Sequence, residues 1–204
     1  MTFSILGVDP GLTRCGIGVI AAGPGRRVRM LDVCVIRTDS DAPLAQRLTD
    51  VDTQVQHWLG RFTPDAVAVE QVFAQHNVRT VTGTAQVAGL VMVAATRAGI
   101  PVATHTPSEI KAAVTGNGRA PKEQVQEMVR RILNLTDRPR PADAADALAL
   151  AITHAWRRHI GAAGANAQMT AAQRAWASAD LRARSSQGYG VRAASRAGTG
   201  RPTR

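Results

Sequence analysis

The chain has 204 residues, with 25 lysines and arginines against 15 aspartates and glutamates, so its formal net charge at pH 7 is +10. That length suffices for one well-buried domain, and the basic balance favours a polyanionic partner, nucleic acid first and an anionic membrane surface second. No stretch of about 18 apolar residues occurs without charges, so we expect no membrane-spanning segment and no membrane partner. The absence of a basic leader and the two isolated cysteines, Cys15 and Cys34, predict a cytoplasmic protein with reduced thiols.

Three apolar runs open the chain and predict β-strands at Phe3–Val8, Gly16–Ala22 and Val28–Ile36. The segments between them, Asp9-Pro10-Gly11 and Gly23-Pro24-Gly25, are turn signals. Connections this short predict an antiparallel meander.

Helices and strands alternate after the meander. Apolar residues at steps of three and four from Leu44 to Phe62 predict an amphipathic helix, and Ala66–Glu70 predicts a short buried strand. The later predictions are a helix rich in small residues at Val78–Ala98, a strand at Pro101–His105, and helices at about Pro107–Val114, Pro121–Leu133 and Ala142–Arg158. The sequence therefore predicts an α/β domain over residues 1–160.

Residues 161–204 differ from the rest in composition, since alanine, glycine, serine and arginine dominate and apolar periodicity fades. This segment holds seven arginines and one aspartate. It has too little apolar surface to offset the entropy of ordering, so we predict a disordered basic tail.

Four acidic residues stand at positions where a charge is costly. Asp9 and Glu70 each end an apolar strand, and ligands bind at the carboxyl ends of strands in α/β sheets. Alone, Asp9 also suits an ordinary turn before Pro-Gly and Glu70 an acid in solvent. Asp143 and Asp146 share one face of a helix that is apolar nearly all round, so we expect both to point into protein.

Four carboxylates in such surroundings would repel one another unless cations neutralised them. The cluster contains no histidine or cysteine, and its hard oxygen ligands favour Mg²⁺ or Mn²⁺ over zinc. Two such ions about 3.5–4 Å apart can activate a water and stabilise the leaving oxygen in phosphodiester cleavage.

Four motifs, in order, resemble the RuvC family of Holliday-junction resolvases: "GVDPG…GIGVI", "VAVEQVF…N", "SEIKAAVTGNGRAPKEQVQEMV" and "ADAADALALAITH". The resemblance covers roughly residues 3–158. It implies an RNase H-like fold, with a mixed five-stranded sheet of three antiparallel strands followed by two parallel ones. It also implies a homodimer, Mg²⁺-dependent symmetric nicking of four-way DNA junctions in recombination and repair, and a RuvA–RuvB branch-migration complex as partner.

The resemblance also implies site residues. The family's metal-binding acids fall on Asp9, Glu70, Asp143 and Asp146, which would hold two Mg²⁺, with Mn²⁺ able to substitute. Its base-contacting phenylalanine falls on Phe73, and its two lysines for DNA binding and catalysis fall on Lys111 and Lys122. The match extends to Asn77 as a further DNA contact. Cys15 departs from the family, which often has threonine there.

The residues support these roles only in part by themselves. Phe73 lies in a polar segment, where an exposed ring could stack on bases or the side chain could belong to the core. Lys111 and Lys122 are the only lysines among 25 basic residues, which suggests that a compact ammonium is wanted, although two solvated surface lysines also fit. Arg79 and Arg119 are candidates for backbone contacts. Small residues in the Val78–Ala98 helix fit either a core helix or a dimer contact.

Three rival functions share parts of this pattern. "GVDPGLTRCGIG" also resembles the phosphate-binding hairpin of sugar-kinase and actin-like folds, which pair two such domains and would bind nucleotide. A junction-binding protein without catalysis would keep the fold but would not nick DNA. A related RNase H-like nuclease would cut precursors of ribosomal RNA in place of junction DNA.

Overall fold

The computed structural model describes residues 2–71 and 78–167, with the backbone alone for residues 78–80 and 158–167. Its strands are β1 (Phe3–Asp9), β2 (Arg14–Ala22), β3 (Val28–Arg37), β4 (Ala66–Glu70) and β5 (Val102–His105). Its helices are α1 (Leu44–Phe62), α2 (Val78–Arg97), α3 (Pro107–Thr115), α4 (Lys122–Ile132) and α5 (Ala142–Ala167). No helix in the described ranges is both long enough and apolar enough to cross a membrane. The chain separates into two units at Gly161, and every element before α5 lies in the first.

The five strands form one mixed sheet in the order β3-β2-β1-β4-β5. The β1–β2 and β2–β3 pairs are antiparallel because short turns join them. The β1–β4 and β4–β5 pairs are parallel; α1 leads from β3 into β4, and α2 leads from β4 into β5. The predicted sheet of three antiparallel strands followed by two parallel ones is confirmed.

Element bounds differ from the predictions at two informative places. β1 includes Asp9, which pairs with Gly16, and β2 already begins at Arg14. α5 continues nine residues past the predicted end at Arg158. Alanine is the commonest residue in this stretch and sustains a helix without needing an apolar face, which periodicity alone does not reveal.

Each face of the sheet packs against its own helices. On one face, α1 and α2 bury large apolar side chains; examples are Val51, Val55, Trp58, Leu59 and Val91. On the other face, α3, α4 and α5 cover the sheet, and nearly every residue of α5 from Ala144 to Ile152 is buried. The prediction that this helix is buried is confirmed.

Glycines in β1 and β2 let α5 approach the sheet very closely. A Cβ atom at Gly16 would lie 2.2 Å from the carbonyl oxygen of Asp143, and one at Gly7 would lie 2.2 Å from that of Ala147. No side chain fits at such distances, so the backbone of α5 rests directly on the strands. This contact brings the first turn of α5 to the carboxyl end of β1, where Asp9 lies.

The start of α3 is joined to α5. Thr106 and Glu109 form a capping box, in which Glu109 N–H donates to Thr106 Oγ1 and Thr106 N–H donates to Glu109 Oε2. Arg157 of α5 donates to Glu109 Oε1 at 2.6 Å. The backbone hydrogen bond from Thr106 and the contact with Arg157 lower the pKa of Glu109. α3 is therefore fixed to α5 through one carboxylate.

Candidate metal centre and its basic surroundings

Three aspartates from two distant parts of the chain meet at the carboxyl end of β1. Asp9 ends β1, and Asp143 and Asp146 lie in the first turns of α5. One carboxylate oxygen from each lies within 4.8 Å of those of the others. Burial raises the pKa of Asp9 to about 8, and the negative charges of Glu70, Asp146 and Asp143 add to the effect.

Glu70 lies beside this group but outside the set of three. β4 runs parallel to β1 with Val69 opposite Val8, so Glu70 ends the neighbouring strand at the same edge of the sheet. Burial and the charge of Asp146 raise the pKa of Glu70, while a hydrogen bond from Asp9 works against that rise. A hydrogen bond between two carboxyl groups requires a shared proton, so the two acids do not both ionise freely.

The donor set fits a hard divalent cation. It consists of carboxylate oxygens alone, which suits Mg²⁺ or Mn²⁺. Asp143 Oδ2 is buried and accepts no hydrogen bond from any described residue. A cation among these acids would satisfy that oxygen and offset the negative charges that raise the pKa of Asp9.

Two basic side chains flank the aspartates on opposite sides. Lys122 Nζ lies 2.7 Å from Asp146 Oδ2, and Arg14 Nη2 lies 2.7 Å from Asp143 Oδ2. The Arg14 pair is close enough for an ion pair, but the N–H group is not aligned for a hydrogen bond, which is why Oδ2 still lacks a donor. Burial opposes the charged form of Lys122, yet its hydrogen bond to Asp146 and the negative charge there outweigh burial and raise its pKa.

A small cleft opens beside the acids on the Lys122 side. Its charged lining consists of Glu70, Lys111, Lys122 and Asp146, and apolar side chains of α3, α4 and α5 complete it. A larger hollow at the C-terminal ends of α1 and α2 has Arg97 as its only ionisable lining residue. The smaller cleft is therefore the functional candidate, because its lining carries the charged side chains that the larger hollow lacks.

Of the other predicted site residues, Arg119 is the one whose side chain lies in the part of the chain that the structure describes. Arg119 is exposed in the α3–α4 connection, where its backbone N–H donates to Asn117 Oδ1, and it does not line the cleft. Arg79 belongs to α2, within the part described by backbone alone. Phe73 and Asn77 lie outside the described residues.

Sequence reasoning missed Arg14 as a neighbour of the acids. The β1–β2 hairpin pairs Asp9 with Gly16, which carries Arg14 just beyond the end of β1. Arg47 of α1 donates to Thr13 Oγ1 and Thr38 Oγ1 and so fixes this turn from the other side. The length of the β1–β2 connection could have predicted this position. Only four residues separate Asp9 from Arg14, so β2 begins close to the end of β1 where Asp9 lies.

Fold and site together define a class of protein: an RNase H-like α/β domain whose carboxylates gather at the end of the central strand as a candidate metal centre. The family model described as "Crossover junction endodeoxyribonuclease RuvC" matches residues 5–154. The chain belongs to the RuvC family of crossover junction endodeoxyribonucleases.

Curated relatives agree with that assignment over most of their length. The chain is 55% identical over 186 residues to the crossover junction endodeoxyribonuclease RuvC of Paenarthrobacter aurescens, covering 90% of this chain and 98% of the relative. It is 60% identical over 169 residues to the RuvC of Mycobacterium avium, covering 83% and 90%.

Solved structures share the fold. Thermus thermophilus RuvC, determined in complex with a Holliday junction substrate, is 40% identical with a TM-score of 0.75, covering 78% of this chain and 96% of that one. The yeast mitochondrial Holliday junction resolvase is only 12% identical, with a TM-score of 0.53 over 76% of this chain and 82% of that one. The latter likeness concerns the fold alone.

Proposed function

We propose that this protein resolves Holliday junctions by paired symmetric nicks in a Mg²⁺-dependent reaction that leaves 5′-phosphate and 3′-hydroxyl ends. The observation that carries the proposal is the meeting of Asp9 with Asp143 and Asp146, which are more than 130 residues away in the chain, within reach of one cation. Family membership supplies the substrate class: the Thermus relative was solved with a junction substrate.

The metal ligands in this proposal are Asp9, Glu70, Asp143 and Asp146, which would hold two Mg²⁺, with Mn²⁺ able to substitute. When bound, such a pair supplies the Lewis acidity that activates a water and stabilises the departing 3′ oxygen. The close contact between α5 and the strands holds the aspartates in place before substrate arrives, which reduces the cost of organising the site.

Lys122 and Lys111 would offset charge that builds on the scissile phosphate. Both line the cleft that contains Glu70 and Asp146. The ammonium of Lys122 now pairs with Asp146, so neutralisation of that aspartate by a cation would leave the lysine available to the phosphate. Lys122 therefore takes a catalytic role in the proposal.

Four further residues would contact the DNA. Phe73 would hold an unstacked base at the crossover, and Asn77, Arg79 and Arg119 would contact the backbone. Arg119 is exposed at the α3–α4 connection, near the start of the helix that bears Lys122.

A homodimer would supply two sites for the two opposed strands of a junction, whose two-fold symmetry it would match. The exposed positions Ala85, Gly89 and Val93 on α2 allow close approach of a second helix. Action on chromosomal junctions in the cytoplasm, alongside a RuvA–RuvB branch-migration complex, completes the proposal.

Residues 161–204 are proposed as a separate basic tail that adds sequence-independent affinity for DNA. Replacing its seven arginines by glutamine in the full chain should weaken junction binding at low salt while junction selectivity over linear duplex is kept. Loss of selectivity would instead make the tail part of the recognition surface.

The decisive experiment measures nicking of a synthetic four-way junction with and without Mg²⁺. Asp9→Asn should abolish cleavage yet leave junction binding largely intact, because it removes a metal ligand without a large change of shape. Asp50→Asn, at an exposed acid on α1, is the matched control and should cut like the wild type.

Parallel assays on linear duplex and structured RNA separate the proposal from its rivals. Equal cleavage of all three substrates, or wild-type rates for Asp9→Asn, would contradict it. Junction binding with no nicking by the wild type in Mg²⁺ or Mn²⁺ would favour a non-catalytic binding protein.

A further inference from the structure

A second group of basic residues lies on the side of the acids away from Lys122. Arg14 begins β2 and Arg37 ends β3, and the two are direct partners in the antiparallel ladder. Opposed residues project from the same face of a sheet, and the contact of Arg14 with Asp143 shows that this is the α5 face. Arg37 therefore lies next to the outer edge of the candidate metal centre.

Arg37 lines a cleft together with the segment that leads into α5. The lining of this cleft includes Arg138, Arg140, Pro141 and Ala142, and the last two immediately precede the residue that would bind metal. A neighbouring hollow shares Arg138 and Arg140 and continues to Arg130 on α4. We name this continuous surface the arginine groove; it comprises Arg14, Arg37, Arg130, Arg138 and Arg140.

Two of the five arginines in the arginine groove, Arg37 and Arg140, have no acidic partner among the described residues, while the other three form ion pairs. Glu127 accepts hydrogen bonds from Arg130, Arg131 and Arg138, which hold its pKa well below its usual range. Asp137 is the other acid in the lining. Arg37 and Arg140 are exposed and form no ion pair with any described residue.

The groove is also held in shape before any ligand binds. Arg138 Nε lies 3.0 Å from Glu127 Oε2, and Arg130 Nη1 donates to the carbonyl oxygen of Leu135 at 3.1 Å. These bonds tie the α4–α5 connection to α4 and so hold the backbone that carries Arg140. A guanidinium that is already placed loses less entropy when it binds a phosphate.

An extended polyanion suits this surface better than a single small anion does, because the cations follow one another along a groove. The groove starts at the acids where a phosphodiester would be cut, so the strand that occupies the site continues along it. Arginine is well suited to bidentate phosphate contacts and is common in DNA interfaces.

We propose that the arginine groove binds the phosphate backbone of one duplex arm of the junction, on the β2–β3 side of the acids. Lys111 and Lys122 would meet the DNA on the opposite side. The inference rests on the proposed function and adds to it the path of the arm across the protein.

The test compares two double variants of the full chain that lose the same charge. Arg37→Gln with Arg140→Gln removes the two unpaired cations of the groove. Arg27→Gln with Arg29→Gln is the matched control, because both arginines are exposed and lie at the other end of β3. Junction affinity is measured by fluorescence anisotropy without divalent metal, over a series of NaCl concentrations.

The groove variant should bind the junction about 10-fold more weakly at low salt. The slope of log K against log [NaCl] should become about 2 units shallower, since each lost phosphate contact contributes about 0.9. Arg37→Lys with Arg140→Lys should recover most of the affinity, and the control pair should keep the wild-type slope.

Several outcomes would overturn the inference. The groove variant could match the control pair in affinity and slope, or it could bind more weakly with an unchanged slope, which would exclude lost phosphate contacts. A groove variant whose thermal unfolding matches the wild type makes either result interpretable. Failure of the wild type itself to bind or cut junctions would instead defeat the proposed function.

Discussion

The two faces of the sheet are built on different principles. Under α1 and α2, large side chains such as Trp58 and Leu59 fill the space between helix and strand. Under α5, glycines at positions 7 and 16 remove that space and let backbone meet backbone. A side-chain layer can repack after a substitution, whereas a direct backbone contact has no such freedom. The face that carries the aspartates is therefore the less adaptable of the two.

The largest expected effect comes from adding one methyl group on the sheet face that α5 covers. Gly16→Ala would place its Cβ 2.2 Å from the carbonyl oxygen of Asp143 and force α5 away from β2. A displacement of about 1 Å in the aspartates is enough to lower the cleavage rate by about 100-fold. Single-turnover nicking of a synthetic junction measures the effect, and a rate within a few-fold of the wild type would contradict the rigid-contact account.

A core truncation on the other face should separate stability from activity. Leu59→Ala leaves a cavity under α1 and should lower the free energy of unfolding by about 2–5 kcal/mol. The cleavage rate of the protein that remains folded should hardly change, because the acids do not depend on this layer. Urea unfolding and single-turnover nicking below the transition test the two halves of the prediction.

A pH-dependent contribution is expected from a histidine pair that joins β5 to α5. His105 Nε2 lies 3.1 Å from His154 Nδ1, and His105 Nδ1 is buried without a partner among the described residues. Burial lowers the pKa of His105 to about 4, with the nearby charges of His154 and Arg157 adding to the shift and Glu109 opposing it.

Between about pH 6.5 and 4 the unfolded chain binds a proton at this position that the folded chain does not. The contribution of His105 to the free energy of unfolding is therefore fully present above about pH 6.5 and decreases as the pH falls to about 4. After allowance for solvent screening, the decrease is no more than about 2 kcal/mol. The raised pKa values of Asp9 and Glu70 act in the opposite direction, so the quantity to measure is the difference in unfolding free energy between the wild type and His105→Gln. A difference that does not change with pH would contradict the prediction.

The smallest expected effect comes from adding one methyl group on the sheet face that α1 and α2 cover. A Cβ at Gly60 of α1 would meet no atom within 4 Å. Gly60→Ala should stabilise the protein by up to about 1 kcal/mol, because alanine loses less conformational entropy in a helix. Thermal unfolding measures the gain, and a clear loss of stability would show that this face is tighter than the structure indicates.

The sheet and the acids could be predicted because both follow from local patterns. Short turns specify antiparallel strands, and the two aspartates three residues apart in an apolar helix indicate a buried acidic pair whatever the tertiary structure. Resemblance to the family supplied what pattern alone left open, above all the choice between a turn aspartate and a ligand at Asp9.

The basic surroundings could not be predicted because they depend on register and on long-range contacts. Arg14 and Arg37 become partners only through the pairing of β2 with β3, and that register shifts between Val19 and Ile20. Arg140 joins them because bonds to Glu127 fix the α4–α5 connection. No sequence signal separates these arginines from the many others in a chain so rich in that residue.

The capping box that begins α3 has a consequence for how the site responds to strain. Glu109 serves its own helix and also receives Arg157, so the helix bearing Lys111 and the helix bearing Asp146 share one anchor. A force that tilts α5 is transmitted to α3, and the lysine and the aspartate shift together. Their separation is thereby preserved when α5 tilts.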